Sequence, residues 1–249
     1  MITDYNLLYM IVFFLSFLQT IAGVGVLVVG TPVLFFFEYT IIEIMYFLLP
    51  ISIITSLFNL IYFNFLSKKD VIKINFSVKK YFFIFCVSSI FIGILLLKIL
   101  GNYFDFKILI SLFIIFSVLI KNYYQSILIN LPKNIKKFFL FLIGIFHGLT
   151  NVGGTLLSIF LLIEFKGDKL KSRYAITYFY FFLAFLKYLI LFLILENELK
   201  LLSITKFFPV ILTGIIFGNI IISKLSNKIF IKIIDTLAVI SALALIIKL

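Results

Sequence analysis

The chain has 249 residues, 64% of them hydrophobic and only 13% charged, with a net charge of +12 and a mean hydropathy of +1.27. Soluble domains carry about 45–50% apolar and about 25% charged residues, so a water-soluble fold is excluded. The positive charge sits in short loops (Lys68, Lys69, Lys73, Lys79 and Lys80; Lys133, Lys136 and Lys137), which suits anionic headgroups and argues against nucleic-acid binding.

Apolar runs of about 20 residues cross the bilayer core as helix, whereas barrel strands are short and alternating. The pattern predicts an all-α integral membrane protein with segments at 5–37, 39–66, 81–97, 106–120, 138–163, 174–195, 204–222 and 229–247. The opening MITDYNLLYM has neither the basic flank nor the small-residue cleavage site of a secretory signal, so the first segment is expected to be retained. Cys86 is the single cysteine; it reads as a small buried hydrophobe. One Cys and one His far apart make no metal ligand set, and no cofactor is expected.

The first and fifth segments are interrupted. Residues 19–34 read QTIAGVGVLVVGTPVL and residues 147–162 read HGLTNVGGTLLSIFLL. Seven of the 12 glycines cluster at these two interruptions: Gly23, Gly25, Gly30, Gly148, Gly153 and Gly154 within the stretches and Gly144 three positions before the second. A shift of 128 positions lays Gly25 on Gly153, Tyr46 on Tyr174 and Asn59 on Lys187, although only six of 53 positions are identical over 13–65. The repeat therefore rests on architecture, with a further correspondence between Gly93 and Gly214. It divides the chain into a first membrane repeat, 1–121, a linker, 122–137, and a second repeat, 138–249, together one transmembrane domain.

Loop lysines and arginines weigh the topology. If every segment simply crosses, the two sides carry twelve and nine basic residues. If segments one and five enter and turn back, loops 66–80, 121–137, 164–173 and 223–232 share a side, and the split becomes sixteen to five. The second arrangement makes the halves inverted repeats with broken helices at depth. A full span plus a half-helix is the other reading of segment one, at about 33 residues.

The stretches GVGVLVVGTPVL and NVGGTLLSIFLL, each opening a four-segment half, resemble the paired glycine-rich motifs of the TauE/SafE family of membrane transporters. The resemblance covers nearly the whole chain and implies transport of sulfur-containing anions such as sulfite and sulfonates. Val26 stands where that pattern has a further glycine, and Phe160 where Pro32 stands in the first copy, so a narrower first turn and a less sharply broken second one are expected.

Glycine lets the backbone leave the helix, and the free N–H groups at a half-helix start attract anions. Gln19, Thr20, Gly23 and Gly25 are candidate donors in the first copy, and Thr150, Asn151, Gly153, Gly154 and Thr155 in the second. Close helix packing is the alternative use of the glycines. His147, the only histidine, either serves an anion or a proton or packs as a neutral ring. In the sixth segment Arg173, Thr177, Tyr180, Ala184 and Lys187 share one helical face. Lys187 is expected near the membrane centre, where a cation faces a cavity, a partner or a substrate; the alternative is snorkelling toward Glu196 and Glu198. Asn59, its counterpart under the shift, joins the candidate substrate-binding set with Tyr180.

These residues predict a transporter of a bacterial inner membrane that moves a small anionic solute by alternating access. The competing readings are a non-transporting assembly subunit, which would present its polar stripes to a partner protein, and a membrane-embedded enzyme. An enzyme would need a convergent nucleophile, base or metal set, and none is visible at useful spacing. A homo-oligomer is left open.

Overall fold

The computed structural model describes residues 5–66, 74–100, 108–109, 111–116, 118–119, 132–151, 153–194 and 204–247. The first half contains α1 (Tyr5–Ala22), α2 (Val26–Phe36), α3 (Ile41–Ile61, continued by π-helical Tyr62–Leu66) and α4 (Phe76–Leu100, π-helical over Phe82–Val87). The second contains α5 (Lys133–Thr150), α6 (Gly153–Glu164), α7 (Lys169–Ile194), α8 (Phe208–Lys224, entered by a 3-10 turn at Ile204–Phe207) and α9 (Asn227–Ile247). Among the described residues five stretches, containing α1, α3, α4, α7 and α8, are long and apolar enough to cross a membrane. All described elements are helical. The expected segment 106–120 is only partly described, and 138–163 begins earlier than expected, at Lys133, directly after Pro132.

Both interruptions are chain reversals. In the first, Gly23 takes φ 79°, and Gly30 then packs against Leu15, fifteen positions back along the chain. In the second, Asn151 takes φ 68° and closes α5 in the left-handed conformation. A Cβ built on Gly153 would lie 2.6 Å from the Ile143 carbonyl oxygen, so α6 runs back beside α5. The reversal is completed where Lys136, near the start of α5, meets Glu164, the last residue of α6, at 2.8 Å. Pro32 lies inside α2 rather than at the turn. The second hairpin is therefore broken as fully as the first, contrary to the expectation drawn from Phe160, because glycine and Asn151 do the turning.

Each hairpin is a helix of about 27 Å followed by a returning half-helix of about 16–18 Å. They enter from opposite ends. Lys136–Glu164, Lys169 on the carbonyls of Ile222 and Leu225, Lys137 over Tyr81 and Lys79 over Tyr178 gather the described parts of the four basic loops at one end. At the other, Lys206 lies over Tyr5, Lys98 donates to the Ile194 carbonyl and Tyr46 to the Leu191 carbonyl. The described basic loops thus gather at one end of the molecule, as the reading with hairpins that turn back requires, while α1 is also long enough to cross.

Small residues let the hairpins lie close to their neighbours, as helix packing in lipid requires. Helix α1 packs on α8, where Gly214 meets Phe13 and Ser16 and Gly218 meets Thr20. Helix α5 packs on α4, where Gly93 and Gly148 touch backbone to backbone and Gly144 sits on Cys86 and Ser89. Helices α3 and α7 pack on each other between the two pairs.

Candidate functional site

Helix α7 organises the interior. Arg173, Thr177, Tyr180, Ala184 and Lys187 are all buried along it, with Arg173 and Lys187 roughly 21 Å apart and Tyr180 midway. The Lys187 ammonium is 0% exposed and donates to the His147 carbonyl at 2.6 Å and to Asn151 Oδ1 at 2.7 Å. It thereby adds its charge to the negative end of α5, where the His147 carbonyl also accepts from the Asn151 amide at 3.1 Å. Two of its three N–H donors are occupied this way.

The half-helix beginnings converge on Tyr180. Its hydroxyl stands beside the first-turn amides of Leu27 and Val28 in α2. Its ring lies so close to Gly154 that a Cβ there would overlap it, and it meets the His147 imidazole at a centroid distance of 6.1 Å. Four buried polar atoms here have no hydrogen-bond partner: both ring nitrogens of His147, Asn151 Nδ2 and the Tyr180 hydroxyl. Buried polar groups are nearly always paired, so a cluster of exceptions makes this the candidate binding locus. His147, Asn151, Tyr180 and the spare Lys187 N–H can all donate. No Asp or Glu among the described residues is buried. A positive, donor-rich and acid-free locus of this kind is suited to an anion with several acceptor oxygens.

A family model described as Sulfite exporter TauE/SafE matches residues 8–245. The chain belongs to the TauE/SafE family. As a TauE/SafE protein it is a multi-pass membrane transporter, and the family consists of transporters rather than enzymes. Comparison with curated proteins and with solved structures returns no match.

Within this TauE/SafE chain the candidate residues separate into two groups. Lys187, Asn151, His147, Tyr180, Gly153 and Gly154 meet at the second hairpin, with Thr155 buried in the first turn of α6. The Thr150 hydroxyl donates back to the Phe146 carbonyl. Asn59 lies elsewhere, donating to Thr20 Oγ1 at 3.0 Å and accepting from Asn219 Nδ2 at 3.2 Å. Gly23 and Gly25 form the first turn, against Ile176 and Gln19. Glu196 and Glu198 lie outside the described residues, but the Lys187 ammonium points inward to α5.

The two tips differ in chemistry. Gln19, at the position matched to His147, accepts from the Val26 amide at 3.2 Å, donates to Ser52 O and Ser56 Oγ and accepts from Ser52 Oγ. It closes the start of α2 from within the protein, whereas His147 leaves both nitrogens unpaired. Sequence reasoning missed Asn219, which accepts from Arg173 at 2.7 Å, and the role of Arg173 as cap of α1 through the Thr20 carbonyl at 2.7 Å. An amide inside the apolar run LTGIIFGNII is the available signal.

Proposed function

We propose that this protein moves a small oxyanion of the sulfite or sulfonate class across a bacterial inner membrane by alternating access around Lys187. The observation that supports it is the cluster of unpaired buried donors on His147, Asn151 and Tyr180 around a cation with no carboxylate partner among the described residues. An incoming oxyanion accepts from the third Lys187 N–H and from those donors, beside the positive beginning of α6. The halves are read as duplicated, inverted repeats, 1–121 and 138–249, whose hairpins rock against α7 to expose the site to one side at a time. The basic end faces the cytoplasm by the positive-inside rule.

The test is flux in liposomes reconstituted with the purified protein and offered sulfite, sulfonates, sulfate and small carboxylates. Saturable movement of sulfite or a sulfonate, with carboxylates weaker, is expected. Saturable movement of none of the four, or of carboxylates alone, would overturn the substrate class.

A further inference from the structure

A second feature of the molecule lies about four helical turns from Lys187 along α7 and uses none of its atoms. A cavity of about 490 Å³ sits between α3 and α8, within the size range of small-ligand pockets. Its outer rim is Ile61, Ile216 and Ile220, which are 41%, 58% and 50% exposed. On helices that span the bilayer such side chains face lipid tails. Its wall includes Phe58, Tyr62 and Asn219, so a largely apolar groove reaches one buried amide.

Behind that amide stands the guanidinium of Arg173, only 3% exposed. Its Nη2 donates to Asn219 Oδ1 at 2.7 Å and contacts Asn59 Oδ1 at 3.5 Å. Its Nε donates to the Thr20 carbonyl, and its face lies 4.7 Å from the Phe63 ring centroid. Tyr62, a wall residue of the groove, adjoins the guanidinium as well. Every one of these partners is neutral. An arginine has five N–H donors and cannot discharge itself by losing a proton, and a charge buried within a membrane protein normally has a counter-ion or lines a path.

We infer that this groove is a second binding site, taking a single-chain amphiphilic anion from the bilayer with its head at Asn219 and Arg173 and its alkyl chain along Ile61, Ile216 and Ile220. Charge complementarity calls for an anionic head, and the lipid-facing apolar walls call for a chain. A small inorganic oxyanion meets only the first requirement and a neutral lipid tail only the second. A slot between two neighbouring helices admits one chain, which favours a free amphiphile over a two-chain lipid. The site is independent of the small-anion reading at Lys187.

The chain contains no tryptophan, so Ile216→Trp places a single fluorescent reporter in the groove of the full-length protein. Titrated with ω-bromoundecanoate in nanodiscs, this reporter should be quenched saturably. Arg173→Gln should raise the half-saturating concentration about tenfold or more, the scale of a lost charge-assisted hydrogen bond. Ile220→Phe, which fills the groove without touching Arg173, should raise it too and keeps the test valid if Arg173→Gln fails to fold. Lys187→Met should leave it unchanged, and a reporter at Ile240→Trp on α9 should show only non-saturable quenching. Equal quenching by ω-bromoundecanol or by brominated phosphatidylglycerol would overturn the assignment. So would indifference to both groove variants.

Discussion

Gly154→Ala drives a methyl group into the Tyr180 ring. That ring is 0% exposed, is backed by the first turn of α2 and is flanked by His147, so it cannot move aside without displacing a hairpin tip. Overpacking a closed interior by this much destabilises by about 1–3 kcal/mol. In a chain of this size each kcal/mol lowers Tm by roughly 2–4 °C, so a loss of about 2–12 °C is expected. Tyr180→Leu removes the obstructing ring, and in that background the added methyl should cost little. The two substitutions should therefore couple by about 1 kcal/mol or more in a double-mutant cycle. The assay is thermal unfolding of the wild type, both single variants and the double variant in one detergent. Additive losses, or an unchanged Tm for Gly154→Ala alone, would refute the placement of Tyr180 against both half-helix beginnings.

Other expectations follow from the hairpins. Lys136→Glu should lower stability by no more than about 1 kcal/mol, since both partners are about a quarter exposed, and Glu164→Lys added to it should restore the loss; thermal unfolding of the pair checks this. Gly148→Val should be far more disruptive, because its side chain would meet the Ile90 carbonyl and the Gly93 backbone; failure to recover monodisperse protein is expected, and normal yield and Tm would contradict the α4–α5 contact. In a Cys86→Ser background, cysteines at Lys133, Lys166 and Ser226 should react with an impermeant maleimide from one side of sealed vesicles, and cysteines at Glu38 and Lys206 from the other. Labelling of positions 133 and 166 from opposite sides would rule out the re-entrant second hairpin.

Much of this was legible in the sequence, for physical reasons. Glycine and asparagine inside apolar runs cost helix stability, so QTIAGVG and HGLTNVGG mark broken helices, and the lysine distribution discriminates the re-entrant path from simple crossing. The spacing of Arg173, Tyr180 and Lys187 gives one helical face from periodicity alone. What could not be read is which groups pair across helices. Gln19 and His147 occupy matched positions, yet only Gln19 meets serines that saturate it. Asn59 was grouped with Lys187 through the shift, but its partners are Arg173 and Asn219 on helices distant in sequence. Local pattern carries no information about such contacts, which arise only when the inverted hairpins interlock.

The most direct test of the account is anion flux through Lys187→Met in liposomes, measured beside the wild type at equal reconstitution. Methionine matches the volume but abandons the carbonyl of His147 and the amide of Asn151, a loss of about 1–3 kcal/mol that is offset by removing a buried charge worth about 2.5–3.5 kcal/mol on insertion scales. The protein should therefore insert and melt much as before while sulfite or sulfonate flux falls about tenfold or more. Undiminished flux in a normally folded Lys187→Met protein would contradict the central claim that this ammonium, set at the turn of the second hairpin, carries the anion.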